Sequence, residues 1–334
     1  MLSPKKYPLF PQRWLAIGAV LLGIGFLAAP ARAGNYGYFV TYNSEVEAGE
    51  LELMFMNDLT QPSRFRREEG FGDYLSHMVE LEYEVTSQFA TEFMIEWFED
   101  LDTGDHAFTG FRWENRYRLI KKRVPANPMV YVEYEDLDPA TRYKMEVSGW
   151  VRSPYEENGE EPDRERIMET RLILSEDVGP VNVAFNWINE TDVTSGTTAF
   201  GYSSGLFWMA HQGYDKASTK KEDSPDRDEY RCPMHSDVVQ NTPGNCPKCG
   251  MALKHDSHSD DETEKDGGVG IGLELYGALG DTKSFGLAAS RQEHYLGPIL
   301  MYHFADHWMF HTQLAIGLTK ASDNLVRLNF GYQF

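Results

Sequence analysis

Hydrophobic and polar residues alternate along most of the chain after residue 44, in segments of about ten residues that turn residues separate. In the last segment, Val326, Leu328 and Phe330 share one face, and Arg327 and Asn329 share the other. Successive side chains of a β-strand point to opposite faces, so each segment predicts a strand with one apolar and one polar face. The predicted strands lie near residues 45–56, 75–85, 89–98, 107–119, 128–135, 166–174, 181–189, 200–209, 269–279, 296–304, 307–318 and 324–334.

These predicted strands number twelve, and single-chain bacterial barrels have an even number of strands. A further alternating segment, Tyr143–Trp150, would make the number odd, and we place it in a long acidic loop between residues 136 and 165. We therefore predict an all-β fold, an antiparallel transmembrane β-barrel of about twelve strands with a small inserted metal-binding domain. A soluble periplasmic β-sandwich, whose apolar face forms a core, is the alternative.

Two features favour the barrel over the sandwich. Trp, Tyr and Phe are abundant at the ends of the predicted strands, as in the aromatic girdles at membrane interfaces. Phe334 closes an alternating aromatic strand, which resembles the C-terminal assembly signal of bacterial outer-membrane proteins. The expected location is the bacterial outer membrane, with lipid around the barrel.

The N-terminal residues have the pattern of a secretory signal peptide. Basic residues precede an apolar run over residues 14–29, and the small residues Ala31 and Ala33 follow it. This pattern predicts cleavage after Ala33, whereas a membrane-anchor helix, the alternative, needs a longer run. The chain has 31 basic and 52 acidic residues and a net charge of −21, which disfavours nucleic acid as a partner.

All three cysteines lie in one short segment, as Cys-x2-His followed by Cys-x2-Cys. Three thiolates and one imidazole can form a closed tetrahedral shell around Zn²⁺. Thiolates are also soft ligands, so Cu(I) or Ag(I) is an equal choice of ion, and nearby methionines would add thioether sulfurs. A disulfide with one free cysteine is the alternative. The candidate ligands are Cys232, His235, Cys246 and Cys249, with Met234 and Met251 as additional candidates.

The same segment resembles a known family. The runs C-P-M-H and N-C-P-K-C-G-M-A-L are similar to the heavy-metal-binding domain of copper and silver P-type ATPases and of periplasmic adaptors of copper efflux systems. Ser236 stands where that family usually has proline. The resemblance implies that the segment binds copper, silver or zinc in metal handling or resistance.

The domain organisation follows from these assignments. Because the strand number is even and the C-terminus is expected in the periplasm, the insert that carries the metal segment should face the periplasm. Charged linkers without large apolar residues flank it. The predicted parts are a signal peptide (1–33), the first part of the barrel (34–210), a linker (211–229), the heavy-metal-binding domain (230–254), an acidic linker (255–267) and the last strands of the barrel (268–334).

The polar faces of the predicted strands carry many charges. An ion-paired interior is the favoured interpretation, and a cation-favouring pathway is the alternative. His307 and His311 are assigned to the lumen face and His303 to the other face, near the rim, while His255 and His258 lie in the acidic linker beside the metal segment. The predicted lumen residues are Glu50, Glu52, Glu80, Glu82, Glu84, Glu92, Glu96, Glu114, Glu133, Glu169 and Glu274, with Arg112, Arg116, Arg118, Arg171 and Arg327.

The sequence predicts binding rather than catalysis. It has no nucleophile elbow, no phosphate-binding glycine loop and no His-Glu-x-x-His motif, and a closed four-ligand site leaves no position for a reactive water. The expected function is binding of one copper, silver or zinc ion for sequestration, resistance or efflux, with periplasmic efflux components as partners. A passive channel for small solutes with an accessory metal domain is the alternative.

Overall fold

The structure of the chain, a computed structural model, describes residues 37–68, 70–139, 141, 164–209, 268–304 and 307–334, together with 230–231, 239–240, 244, 247–248 and 253–255. The chain divides into two compact units. The barrel unit comprises residues 1–212 and 267–334, and the small unit comprises residues 213–266.

The described residues of the barrel unit contain twelve strands and one short helix, and those of the small unit contain three strands of two residues each. The barrel strands are β1 (Leu51–Gln61), β2 (Tyr74–Thr86), β3 (Phe89–Asp100), β4 (His106–Arg118), β5 (Met129–Leu137), β6 (Glu165–Val178), β7 (Val181–Asp192), β8 (Thr198–Met209), β12 (Val269–Asp281), β13 (His294–Phe304), β14 (Trp308–Gly317) and β15 (Asn324–Gln333). The helix is α1 (Arg64–Glu68), and the small unit contains β9 (Tyr230–Arg231), β10 (Val239–Gln240) and β11 (Lys254–His255).

The twelve barrel strands form a closed antiparallel sheet in the order β1-β15-β14-β13-β12-β8-β7-β6-β5-β4-β3-β2. Closure is made by the first and last strands, where Leu53 lies opposite Tyr332 and Phe55 lies opposite Phe330. Each of these strands has a partner on both sides, so its backbone hydrogen-bonding groups are satisfied within the sheet, as a hydrocarbon environment requires. The predicted fold class, an all-β antiparallel barrel of about twelve strands, is confirmed.

The alternation in the sequence separates the two faces of this sheet. On β15, Leu328 and Phe330 are 40% and 43% exposed, whereas Arg327 and Asn329 on the same strand are buried. On β2, Leu81 and Tyr83 face outward, and Glu80 faces the lumen. An apolar outer face around a polar lumen is the arrangement of a barrel that spans the outer membrane.

Aromatic side chains gather at the rim where β15 ends, which agrees with the predicted girdle. Tyr83, Tyr117, Tyr302 and Trp308 lie near strand ends at this rim and are between 37% and 48% exposed. Amphipathic aromatic rings of this kind favour the boundary between hydrocarbon and headgroups.

The first predicted strand is wrong in position. The sequence predicts residues 45–56, but β1 spans Leu51–Gln61 and its pairing with β15 begins at Glu52. Backbone amides upstream of Leu51 donate hydrogen bonds to inward-facing side chains of the barrel instead. The other predicted strands differ from the observed bounds by a few residues at their ends.

Several predictions fall on residues outside the described part of the chain. These are the signal peptide, Tyr143–Trp150 and most of the two linkers. Strand β5 ends at Leu137 and strand β6 begins at Glu165. The interval between them is long enough for the predicted loop. Among the described residues, α1 is a single helical turn, and no helix there is long and apolar enough to cross a membrane.

Candidate metal site and barrel lumen

The described residues of the small unit form a three-stranded sheet. In the sequence, its strands lie before, between and after the two metal-ligand pairs of the cysteine motif. β9 lies between β10 and β11, and Arg231 is opposite both Val239 and Lys254. The Leu253 amide donates a hydrogen bond to the Gly244 carbonyl at 2.8 Å. The chain just before the first cysteine is therefore adjacent to the chain that follows the last one.

The predicted ligands themselves are not described by the structure. Cys232, His235, Cys246 and Cys249 lie outside the described residues, as do Met234, Met251 and His258, and the side chain of His255 is not described. The ligand set therefore stays a prediction from the sequence. What the described residues add is the closeness of the segments that flank it.

The barrel interior contains a network of ion pairs centred on arginines of β4. Arg112 is 2% exposed, and its guanidinium lies 3.1 Å from Glu96, 3.3 Å from Glu133 and 3.2 Å from Glu135. Every one of these carboxylates is buried. One guanidinium shared among three carboxylates attracts all three, which offsets part of the free-energy cost of burying their charges.

A second group lies farther along the same strand. Arg116 pairs with Glu114 at 2.7 Å, with Glu92 at 3.7 Å and with Glu82. These contacts confirm the predicted ion-paired interior for Arg112 and Arg116, whereas Arg118, the third predicted lumen arginine of β4, donates to the backbone carbonyl of Ser87. On β6 and β15, Arg171 pairs with Glu169, and Arg327 pairs with Asp58 at 3.0 Å.

The segment Gly37–Glu50 enters the lumen, a feature absent from the predicted organisation. Its residues up to Val46 are buried or half-buried there, and residues 47–49 are exposed. The Glu274 carboxylate of β12 accepts the backbone amides of Phe39, Val40 and Thr41 at 3.1, 3.0 and 2.7 Å. The side chain of Asn186 on β7 accepts from the amide of Tyr42 at 2.7 Å and donates to its carbonyl at 2.8 Å. Inward-facing side chains thus supply the hydrogen bonds that a neighbouring strand would otherwise supply.

Tyr42 connects this segment to the ion pairs. Its hydroxyl donates to Glu114 at 2.8 Å, and the guanidinium groups of Arg171 and Arg116 lie 4.9 and 5.0 Å from its ring centre. Burial, reinforced by the carboxylates of Glu114 and Glu92, raises the pKa of the Tyr42 hydroxyl well above its ordinary value. The hydroxyl therefore remains a hydrogen-bond donor, and the two cations stack on a neutral ring.

Tyr38 occupies space that Gly205 of β8 leaves open. A Cβ atom on Gly205 would overlap the Tyr38 ring. The Tyr38 hydroxyl donates to the Asn182 side chain at 3.0 Å, and its ring packs edge to face against Phe207 at 5.5 Å. A glycine at an inward position of a strand therefore marks the place where another part of the chain comes close.

Two histidine assignments are wrong. His307, assigned to the lumen face, is exposed, and its ring centre lies 5.5 Å from that of Tyr332, which is in phase with the outward residues of β15. His303, predicted on the outer face, lies instead on the lumen side of β13. It is in phase with the buried residues Ile299 and Met301. Its ring stacks on that of His311 at a centroid distance of 6.4 Å. His303 lies near the end of β13, and the alternation of inward and outward side chains continues up to that end.

Residues 230–256 match the family model described as a heavy metal binding domain. The chain is therefore a closed antiparallel β-barrel with an apolar outer face, and it carries a heavy-metal-binding domain. Within this domain, 25 residues are 68% identical to a copper-transporting P-type ATPase of Rhizobium leguminosarum bv. viciae, a match that covers 8% of this chain and 3% of the ATPase.

Solved outer-membrane structures resemble the whole chain at low identity. An outer membrane channel from Pseudomonas putida F1 is 10% identical, with coverage of 90% of this chain and 99% of the channel and a TM-score of 0.41. LpxR from Salmonella typhimurium is 11% identical, with coverage of 84% and 99% and a TM-score of 0.35. The architecture of this chain rests on its own strand pairing.

Proposed function

We propose that the protein captures copper, silver or zinc in the periplasm through Cys232, His235, Cys246 and Cys249, for sequestration, resistance or delivery to an efflux system. The observation that carries this proposal is the heavy-metal-binding match at residues 230–256, which contains all four residues at the spacing that a tetrahedral site needs. Binding of the ion, rather than chemistry on a bound substrate, is the role that a closed four-ligand set suits.

The ligand chemistry limits the candidate metals to copper, silver and zinc. Thiolates select Cu(I) and Ag(I), and the segment is similar to part of a protein described as a copper-transporting ATPase. Three thiolates and an imidazole also suit Zn²⁺. A competition between Cu(I) and Zn²⁺ at equal concentration decides between them.

The placement of the domain in the periplasm is supported by the lengths of the barrel turns. The insert joins the ends of β8 and β12 at the same rim as the C-terminus and the short turns at 87–88 and 179–180. Periplasmic turns are short and external loops are longer. A membrane-impermeant maleimide should therefore label the cysteines of cells only after the outer membrane is permeabilised; equal labelling of intact cells contradicts this placement.

A passive channel is the competing function. The segment Gly37–Glu50 and the ion pairs of Arg112 and Arg116 occupy the lumen, which favours metal capture over free diffusion of solutes. Single-channel recording in planar bilayers separates the two functions. Absence of conductance above background excludes the channel, and a steady open conductance would support it.

The decisive experiment is the metal content of the purified full-length protein. After anaerobic exposure to Cu(I) and Zn²⁺ in competition, we expect a Cys246→Ser, Cys249→Ser variant to hold one equivalent of metal less than the wild type. Lys248→Ala is the matched control, because Lys248 lies between the two cysteines and is exposed. Equal metal in the serine variant and the wild type would overturn the proposed ligand set.

The cellular role has its own test. Deletion of residues 228–254 should abolish metal tolerance while heat-modifiable gel mobility shows that the barrel still assembles. Unchanged tolerance in cells with an assembled barrel would reject the role in resistance.

A further inference from the structure

Methionines are concentrated at inward-facing positions of the barrel, where polar residues are usual. The thioether side chains of β1, β2, β3 and β14 pack together and are at most 8% exposed. Met301 of β13, which is 1% exposed, belongs to a neighbouring apolar cluster. The members of the methionine cluster are Met54, Met56, Met78, Met94 and Met309.

Two of these sulfur-bearing side chains lie beside histidine across the sheet. Met301 pairs with His311 in the register of β13 and β14. The Met301 sulfur and His311 Nδ1 lie 2.8 and 2.9 Å from the position that a Cβ atom on Gly37 would take. A thioether sulfur and an imidazole nitrogen therefore converge on one small space, which Gly37 leaves open.

Gly331 of β15 leaves a second space next to the first. It pairs with Met309 on one side and with Met54 on the other. The Met309 sulfur and the Met54 methyl carbon each lie 3.1 Å from the position of a Gly331 Cβ atom. Met309 also lies opposite His303, so thioethers and imidazoles alternate across β13 and β14.

A cavity of about 140 Å³ joins these groups. Its wall includes Met54, Met301, Met309 and His311, and the carboxyl groups of seven glutamates, against a single arginine, Arg116. This excess of carboxyl groups favours a cation. The glutamates are Glu45, Glu50, Glu52, Glu80, Glu82, Glu84 and Glu92.

Several buried polar atoms of residues in the cavity wall have no hydrogen-bond partner among the described residues. They include His311 Nε2 and Asn329 Oδ1, and each of these two residues is 5% exposed. A buried acceptor without a partner costs about 1–3 kcal/mol, so such groups in a native interior call for a ligand or an ordered water. Imidazole nitrogen is a good metal ligand, and thioether sulfur is a soft one.

We propose that the barrel lumen holds a second metal site, for a soft monovalent cation such as Cu(I) or Ag(I), with Met301, Met309 and His311 as ligands and Met54 beside them. Neutral soft donors bind a soft cation, and the glutamates of the same wall balance its charge. Every one of these residues belongs to the barrel unit, so the site is independent of the cysteine domain.

Methionine also fills irregular gaps in cores, and Met129 is the internal comparison. Met129 is fully buried in the lumen, among Val46, Tyr131 and Ile173. The cluster also contains Ala90, and Tyr42 packs against it. A Met129→Leu variant therefore removes a lumen thioether without touching the proposed ligands.

The test uses full-length protein in which Cys232, Cys246 and Cys249 are all replaced by serine, which leaves no cysteine in the chain. The protein is equilibrated anaerobically with silver nitrate, desalted and analysed for silver by mass spectrometry. We expect this variant to retain one equivalent of silver. Addition of Met301→Leu and Met309→Leu should reduce the silver to background, and addition of Met129→Leu should leave it unchanged.

A second measurement guards against misfolding of the double leucine variant. With 13C-labelled methionine methyl groups in the cysteine-free protein, silver should shift the resonances of Met301 and Met309 and leave that of Met129 in place. No retained silver in the cysteine-free protein overturns the lumen site, as does silver that is indifferent to Met301→Leu and Met309→Leu. Equal amounts of silver in the wild type and in the cysteine-free protein would contradict the proposed function instead, so the two failures are distinct.

Discussion

The carboxylate of Glu274 should hold the segment Gly37–Glu50 in the lumen, and Glu274→Ala should release it. Glu274 is fully buried and accepts three consecutive backbone amides, those of Phe39, Val40 and Thr41. Hydrogen bonds to a charged group contribute about 1.5–3 kcal/mol each, and three that share one acceptor are not additive. We therefore expect the free energy that holds the segment in place to fall by about 3–5 kcal/mol.

Hydrogen exchange of the three amides measures this free energy directly. A loss of about 3–5 kcal/mol corresponds to exchange that is faster by a factor of roughly 10² to 5 × 10³, at about 1.36 kcal/mol for each factor of ten. The contacts farther along, such as the amide of Ser44 donating to Ser175 at 2.9 Å, should keep residues after Tyr42 more protected. Single-channel conductance in planar bilayers should rise together with the exchange rate, because the released segment no longer fills the lumen.

Glu133→Ala is the matched control for this experiment. Glu133 is equally buried, but its described partners are Arg112 and Tyr131 of the barrel wall. Arg112 keeps Glu96 and Glu135 when Glu133 is removed. If the amides of Phe39–Thr41 exchange at the wild-type rate in a folded Glu274→Ala protein, or equally fast in Glu133→Ala, the anchoring role of Glu274 is refuted.

Three further predictions concern the barrel. Gly205→Val should expel the Tyr38 ring, because a Cβ atom there overlaps it, and faster proteolysis of the N-terminal segment would reveal the displacement. Arg327→Met should leave Asp58 buried without its cation and destabilise the barrel by about 3–5 kcal/mol in urea unfolding, and Asp58→Asn in the same chain should restore part of the loss. Removal of the side chain of Phe334, which packs on Tyr332 at 4.8 Å, should lower the amount of heat-modifiable barrel in the outer membrane, and an unchanged amount would contradict its role as an assembly signal.

The strand pattern could be predicted because it is local. In β3 the carboxylates of Glu92 and Glu96 face inward, and Phe93 and Ile95 face outward, as the alternation requires. The same reasoning predicted which charged residues face the lumen, because the inward positions of each strand follow from its alternation. It could not predict that Arg112 would serve three carboxylates, since that depends on the register between β4 and its neighbours.

The residues of the segment Gly37–Glu50 gave a weak signal. Tyr38, Phe39, Val40 and Tyr42 are aromatic or β-branched, as strand residues are, and the sequence analysis extended β1 backwards to residue 45. The inward glycine at position 205 was a signal that another chain segment approaches. Methionines in phase with the polar face, such as Met54 and Met309, are a second signal in the sequence, because they indicate thioether side chains inside the lumen.

By itself, the sequence determined the strands, their outward faces and the spacing of the cysteine and histidine residues, because each depends on residues a few positions apart. The tertiary structure alone decided which inward residues meet. The amide of Val40 bonds to Glu274, and Met301 lies beside His311, because barrel closure and strand register bring together residues that are distant in the chain. Loop closure and register are properties of the whole sheet, so the periodicity of any one segment carries no information about them.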